Sequence, residues 1–138
     1  MTIKYDSETI GLMMLFENIT KAKVKDCFVD NNKLQLFVVE QNELSKAIGK
    51  GGSKAKMLEK ILNRRLRVIE YDPDVKQFVK NVVYPLQIAE VIQENDIITL
   101  IPSDSRVRGL LIGRAAQNLR NTESIVQRYF PIKELKVQ

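Results

Sequence analysis

The sequence contains no histidine, a single cysteine and only six glycines in 138 residues. Without imidazole, zinc sites of the Cys/His kind, His-based triads and histidine acid–base chemistry are excluded. One cysteine excludes an intrachain disulfide. Cys27 lies in the strand-like run KVKDCFVD, where a buried, unreactive thiol is expected. No apolar run approaches the roughly 18 residues of a membrane span, and the start, MTIKYDSETI, lacks the basic-then-apolar pattern of a secretory signal. A cytoplasmic protein with no membrane partner is the expectation.

The scarce glycine is concentrated. Three of the six fall in AIGKGGSK, as Gly49, Gly51 and Gly52, beside Lys50 and Lys54. Glycine lets a backbone approach a ligand closely, and lysine makes that ligand an anion. The phosphate-binding loop of nucleotide hydrolases does not fit, because Leu44 stands where its first glycine belongs and Gly51 where its hydroxyl belongs. The dinucleotide fingerprint fails as well, with Lys54 at its third glycine position.

The bend is repeated. Gly49 of AIGKGGSKAKMLEKIL has its match 64 residues later in Gly113 of LIGRAAQNLRNTESIV, with Ile48 matching Ile112, Lys50 matching Arg114, Ile61 matching Ile125 and Leu62 matching Val126. A repeat of this length predicts two similar domains, residues 1–71 and 72–138. Each reads as helix, two strands, short helix, glycine bend, longer helix and closing strand. This is αββααβ twice, an α+β fold with helices on one face of each three-stranded sheet.

In the first copy Ser7 is expected to cap a helix to about Thr20, Asp30-Asn31-Asn32 to turn a hairpin, and residues from about Asn42 to Ile48 to form the short helix. Ala55, Leu58, Ile61 and Leu62 give the longer helix an apolar face, and RLRVIEY closes the domain. In the second, Asp72-Pro73 is expected to cap a helix with apolar Val75, Phe78, Val79 and Val82; Ser103 opens the short helix, and Gln117 to Tyr129 form the longer one. RLRVIEY runs into Asp72-Pro73 without a Gly/Ser linker, so rigid packing of the domains is expected.

Charge follows the bends. Residues 43–65 and 104–128 hold twelve basic and four acidic residues, a net +8 within a chain whose total is +5. Lys56, Lys60 and Arg64 fall at i, i+4 and i+8, one stripe opposite the apolar face. Asp26 and Glu43 read as isolated surface carboxylates. No carboxylate pair or nucleophile accompanies either bend, which disfavours an enzyme acting on a phosphorylated substrate; no cofactor or metal site is expected.

An I-G-x-x-G bend between two helices resembles the KH module, whose GXXG loop clamps the backbone of about four nucleotides. The αββααβ order resembles its prokaryotic variety, and two copies together, carried by GKGGSKAKMLEKIL and GRAAQNLRN, resemble the archaeal NusA-like transcription factors. The resemblance implies single-stranded RNA as the partner and a role in transcription elongation, termination or antitermination, with a ribosome-associated or RNA-processing protein as the alternative. Its implied RNA-binding residues are Ile48, Gly49, Lys50, Gly51, Gly52, Ser53, Lys54, Lys56 and Lys60, then Gly113, Arg114, Ala115, Ala116, Gln117 and Asn118. RNA polymerase or the elongation complex is the implied protein partner, although the polymerase-binding and OB-fold domains of bacterial relatives are not found in these 138 residues.

The second bend departs from the pattern. Ala116 replaces the closing glycine and puts a methyl group where phosphate should approach, so weaker binding, or binding chiefly through Arg114 and the adjacent groove, is expected there. Neither bend contains an aromatic residue, which argues against base stacking as the mode of readout. Phe16, Phe28, Phe37, Phe78 and Phe130 read as core. Ile48, Leu58 and Val68 read equally as core or as the aliphatic lining of a base-binding groove.

Overall fold

The computed structural model describes residues 3–138, which form two compact units, one ending at Tyr71 and the other beginning at Asp72. The first contains α1 (Ser7–Thr20), β1 (Val24–Val29), β2 (Gln35–Val39), α2 (Leu44–Ile48), α3 (Ser53–Leu62) and β3 (Leu66–Glu70). The second contains α4 (Val75–Val83), β4 (Ile88–Glu94), β5 (Ile97–Pro102), α5 (Ser105–Ile112), α6 (Gln117–Gln127) and β6 (Glu134–Val137). Each unit is α+β around its own three-stranded sheet, ordered β1-β2-β3 and β4-β5-β6.

In both sheets the middle strand pairs antiparallel with the strand before it and parallel with the closing strand, as in Cys27↔Phe37 and Phe37↔Val68, or Val91↔Leu100 and Leu100↔Val137. The parallel pairing requires a crossover, which the two helices around each bend supply. One core gathers Phe16, Ala22, Cys27, Phe37, Val39, Ala47 and Leu58. Within it the Phe16 and Phe37 rings stack with centroids 4.4 Å apart. In the second unit Phe78 packs edge-on to Tyr129 at 5.4 Å and lies 5.6 Å from Phe130. Phe16, Phe37 and Phe78 are fully buried, Phe28 and Phe130 half-buried.

Several expectations are corrected at the level of caps and faces. The residue capping α1 is Asp6, whose carboxylate accepts the Thr9 N–H at 2.7 Å, so Ser7 is already helical. Asp104, accepting from Val107 N at 2.8 Å, rather than Ser103, caps α5. Asp74 caps α4, while Asp72 accepts the Asp74 N–H in the preceding turn and Pro73 lies outside the helix. In each case a carboxylate reaching the first helical N–H groups wins over the neighbouring residue.

Ile61 is 54% exposed where its match Ile125 is 3% exposed. It sits one residue, about 100°, around α3 from Leu62, away from the stripe on which Leu58 is buried. Asp26 is not a surface group: it is fully buried, its carboxylate accepting from the Tyr5 hydroxyl at 2.7 Å and from Cys27 N at 2.8 Å. Cys27 is buried and accepts a hydrogen bond from Gln35 Nε2 at 3.1 Å. Among the described residues no helix is long and apolar enough to cross a membrane.

Candidate nucleic-acid interface

Helix α2 stops because Gly49 leaves the helical region (φ 78°, ψ 169°), a conformation essentially confined to glycine. A Cβ there would lie 2.7 Å from Lys54 Cγ and 3.0 Å from Lys54 N, so space and backbone angle both demand glycine. One 3-10 turn, Lys50–Gly52, follows and delivers the chain to α3. Gly51 (φ 63°) and Gly52 (φ 77°) are left-handed, yet a Cβ at Gly51 would meet nothing within 4 Å, and one at Gly52 only Lys56 Cε at 3.9 Å.

The second bend has the same course. Gly113 (φ 73°, ψ 178°) ends α5, and a Cβ there would fall 2.6 Å from Asn118 Cγ. Ala115 (φ 52°) and Ala116 (φ 60°) then occupy the left-handed positions of Gly51 and Gly52. The methyl group of Ala116 has therefore not changed the path of the backbone.

The helix start beyond each bend carries no side-chain cap. Helices α1, α4 and α5 are capped by aspartates, whereas α3 and α6 begin on the left-handed Gly52 and Ala116 with no side-chain cap. The first N–H groups of a helix carry its positive dipole end and receive an external anion readily when no internal carboxylate occupies them. Lys50 and Arg114 are exposed on the bends, and Lys56 and Lys60 are exposed on α3; none of the four has an ion-pair partner among the described residues.

Other implied site residues have structural attachments. Lys54 is half-buried and its ammonium donates to Thr20 O at 3.3 Å, at the carbonyl end of α1. Its match Asn118 donates through Nδ2 to Leu110 O at 2.9 Å. These two side chains lie over Gly49 and Gly113 and lock each bend to a preceding helix. Ser53 and Gln117 open α3 and α6 and are exposed; Ile48 is half-buried at the end of α2. Of the two other aliphatic candidates, Leu58 is fully buried core and Val68 packs against that core half-buried.

The basic stripe is broken after its second member. Asn63, left-handed at φ 52°, ends α3, so Arg64 leaves the line of Lys56 and Lys60 and donates to Gln35 Oε1 at 2.9 Å. In the second unit Arg120, the match of Lys56, pairs with Glu123 at 2.8 Å and donates to Leu135 O at 3.4 Å. Glu43, expected as an isolated carboxylate, accepts from Lys23 N at 2.9 Å and pairs with Lys46 at 3.2 Å. The Lys23 N–H first, and Lys46 second, hold it below the usual carboxylate range. Burial lowers the Arg67 pKa, opposed by the nearby Asp30 carboxylate.

One repeated pair was not found from the sequence. Glu59 accepts from Leu66 N at 3.2 Å, and Glu123 accepts from Leu135 N at 2.8 Å, so each clamps the closing strand of its unit to the helix after the bend. The signal was present, since the two glutamates are matched at the same spacing of 64 as the glycines.

A glycine-terminated short helix, a tight basic bend and an uncapped second helix, laid over a three-stranded sheet, define a KH-type module. A family model described as KH domain matches residues 13–87, more than half of the chain. A protein of Methanococcus vannielii named probable transcription termination protein NusA is 34% identical over 99% of this chain and 80% of its own length. A protein of the same name from Halobacterium salinarum is 30% identical over 99% of both chains. The chain belongs to the archaeal NusA-like family of KH-domain proteins. A solved structure titled "Crystal structure of APE1850" shares the fold with a TM-score of 0.77 at 24% identity, covering 97% of this chain and 100% of that one.

Proposed function

We propose that the chain is a pair of prokaryotic-variety KH domains that binds single-stranded RNA without catalysis and acts on transcription elongation or termination. The observation that carries the reading is the bend itself: twice, a glycine-only corner leads through a basic residue to a helix start that no side chain caps. The uncapped N-terminal end of a helix beside an exposed cation fits a phosphodiester. The acidic groups nearest the first bend support binding rather than chemistry, because Glu43 and Glu59 accept from the backbone of Lys23 and Leu66. The transcriptional role, with RNA polymerase or the elongation complex as its protein partner, rests on the name carried by the relatives, probable transcription termination protein NusA.

The binding reading is tested by the salt dependence of RNA affinity. A log–log slope of about −0.7 for each phosphate neutralised is expected on a single strand, and an affinity unchanged between about 50 and 200 mM salt overturns it. The transcriptional reading is tested by sequencing RNA crosslinked to the protein in cells. Nascent transcripts are the expected catch; ribosomal RNA would make the chain a ribosome-associated or RNA-processing factor instead.

A further inference from the structure

Beyond the bend, the first unit carries a second basic feature at the opposite end of α3. Arg64 and Arg65 line an open cleft of about 540 Å³ with Lys33 and Asn32 from the β1–β2 turn, and the same two arginines line an adjoining hollow with Lys60. Arg64 is not a loosely held surface cation. Its Nη1 donates to Gln35 Oε1 at 2.9 Å, and Gln35, only 3% exposed, is fixed by donating to Cys27 Sγ at 3.1 Å and Phe28 O at 3.3 Å. A guanidinium positioned from the core loses less freedom on meeting a ligand.

The carboxylates near this cleft are turned to internal work. Asp30 is buried and accepts from Asn32 N and Leu34 N, both at 2.9 Å, and Glu59 accepts from Leu66 N. The second unit repeats only one of these cations, Arg128 at the position of Arg64: its matching turn reads Glu94-Asn95-Asp96, Ile97 stands at the position of Lys33 and Tyr129 at that of Arg65. The basic cleft is therefore particular to the first unit and not a requirement of the fold.

We propose that this cleft is a second phosphate contact for the same RNA strand, one helix length beyond the glycine bend. The inference rests on the RNA-binding reading above. Ten residues of α3 span about 15 Å, and the exposed Lys56 and Lys60 lie between the two ends, continuing the positive charge from Lys50 to Arg64 and Arg65. A GXXG loop by itself clamps about four nucleotides, so only a longer strand reaches the cleft.

The test compares uridine homopolymers of about four and about ten nucleotides on the full chain across a salt series. Arg64→Gln with Arg65→Gln should flatten the salt slope on the longer RNA by about 1.4, two phosphates at about 0.7 each, and leave the shorter RNA unchanged. Lys33→Gln, on a different element, should flatten it by about 0.7 with the same length dependence. An equal loss on both lengths would make the cleft a general electrostatic attractor or a free-anion site, and either overturns the proposal. The carbonyl end of α3 also favours nearby cations; arginines serving only that purpose would, when replaced, lower the melting temperature and change neither affinity, which also overturns it. Lys50→Asp with Gly51→Asp separates the two readings. If that variant loses both RNAs while the arginine variant loses neither, only the cleft proposal falls; if it binds both normally, the KH reading of the bend falls.

Discussion

Gly49-Lys50-Gly51-Gly52 and Gly113-Arg114-Ala115-Ala116 share one residue and one backbone path. At the third position the angles are φ 63°, ψ 21° in Gly51 and φ 52°, ψ 35° in Ala115; at the fourth they are φ 77°, ψ 13° in Gly52 and φ 60°, ψ 21° in Ala116. A left-handed alanine costs roughly 1–2 kcal/mol, so the second unit maintains the bend against an intrinsic preference. The difference separates two reasons for glycine. At Gly49 and Gly113 the side chain of residue i+5 leaves no room for a Cβ, whereas at Gly51 and Gly52 there is room, and within the protein glycine there relieves backbone strain alone. The bends also differ in available charge: Lys56 beside the first has no ion-pair partner among the described residues, while its match Arg120 is held by Glu123 beside the second.

The largest effect that would sharpen this comparison is on RNA affinity. Lys50→Asp with Gly51→Asp removes a cation and adds two anions while leaving Gly49 and Gly52 to turn the chain. A loss of several kcal/mol is expected from like-charge juxtaposition. The same change at Arg114 and Ala115 should cost less, and a titration in which the second variant suffers more would reverse the ranking of the sites.

Next comes stability. Gly49→Ala and Gly113→Ala each place a residue in a glycine-only region, at about 1–3 kcal/mol, with steric contact in addition. Gly51→Ala should cost less, roughly 1–2 kcal/mol of left-handed strain reduced by about 0.4–1 kcal/mol from a stiffer unfolded chain, in a conformation that Ala115 already adopts. Denaturant midpoints decide it: equal losses at Gly49 and Gly51 would break the distinction between space and strain.

A smaller change is expected from Ala116→Gly. Relief of roughly 1–2 kcal/mol of left-handed strain is offset by about 0.4–1 kcal/mol of added unfolded-state freedom, for a net stabilisation between zero and about 1.6 kcal/mol. RNA contact at the second bend should tighten. Unchanged RNA affinity would show that the methyl group is not what weakens that site.

The smallest effect is on acid stability at the entry to the first bend, where α2 has no side-chain cap and Glu43 holds Lys23 N and Lys46 instead. Because its folded pKa is depressed, the stabilisation is present above the ordinary value of 4.5 and is lost as pH falls through the lower, folded value. Glu43→Gln should therefore unfold with a shallower pH dependence in that window, measured by urea denaturation. An identical profile would mean that the contact contributes nothing.

The sequence by itself determined the α+β alternation of elements, the glycine corners and the concentration of charge around them, because these follow from periodicity, from backbone freedom and from composition, all local properties. It placed Phe16, Phe37 and Phe78 in the interior for the same reason. Caps were less legible: Asp6, Asp74 and Asp104 compete with neighbours of similar propensity, and only the geometry of an accepted N–H decides among them. Tertiary structure alone decided that Asp26 is buried beneath Tyr5 and that Ile61 is exposed while Ile125 is not. It also decided that Lys54 serves the end of α1 and that Arg64 leaves its helical stripe to meet Gln35. Each of these depends on a partner distant in the chain, and a hydrogen bond or a buried face between distant residues exists only once the fold has brought them together.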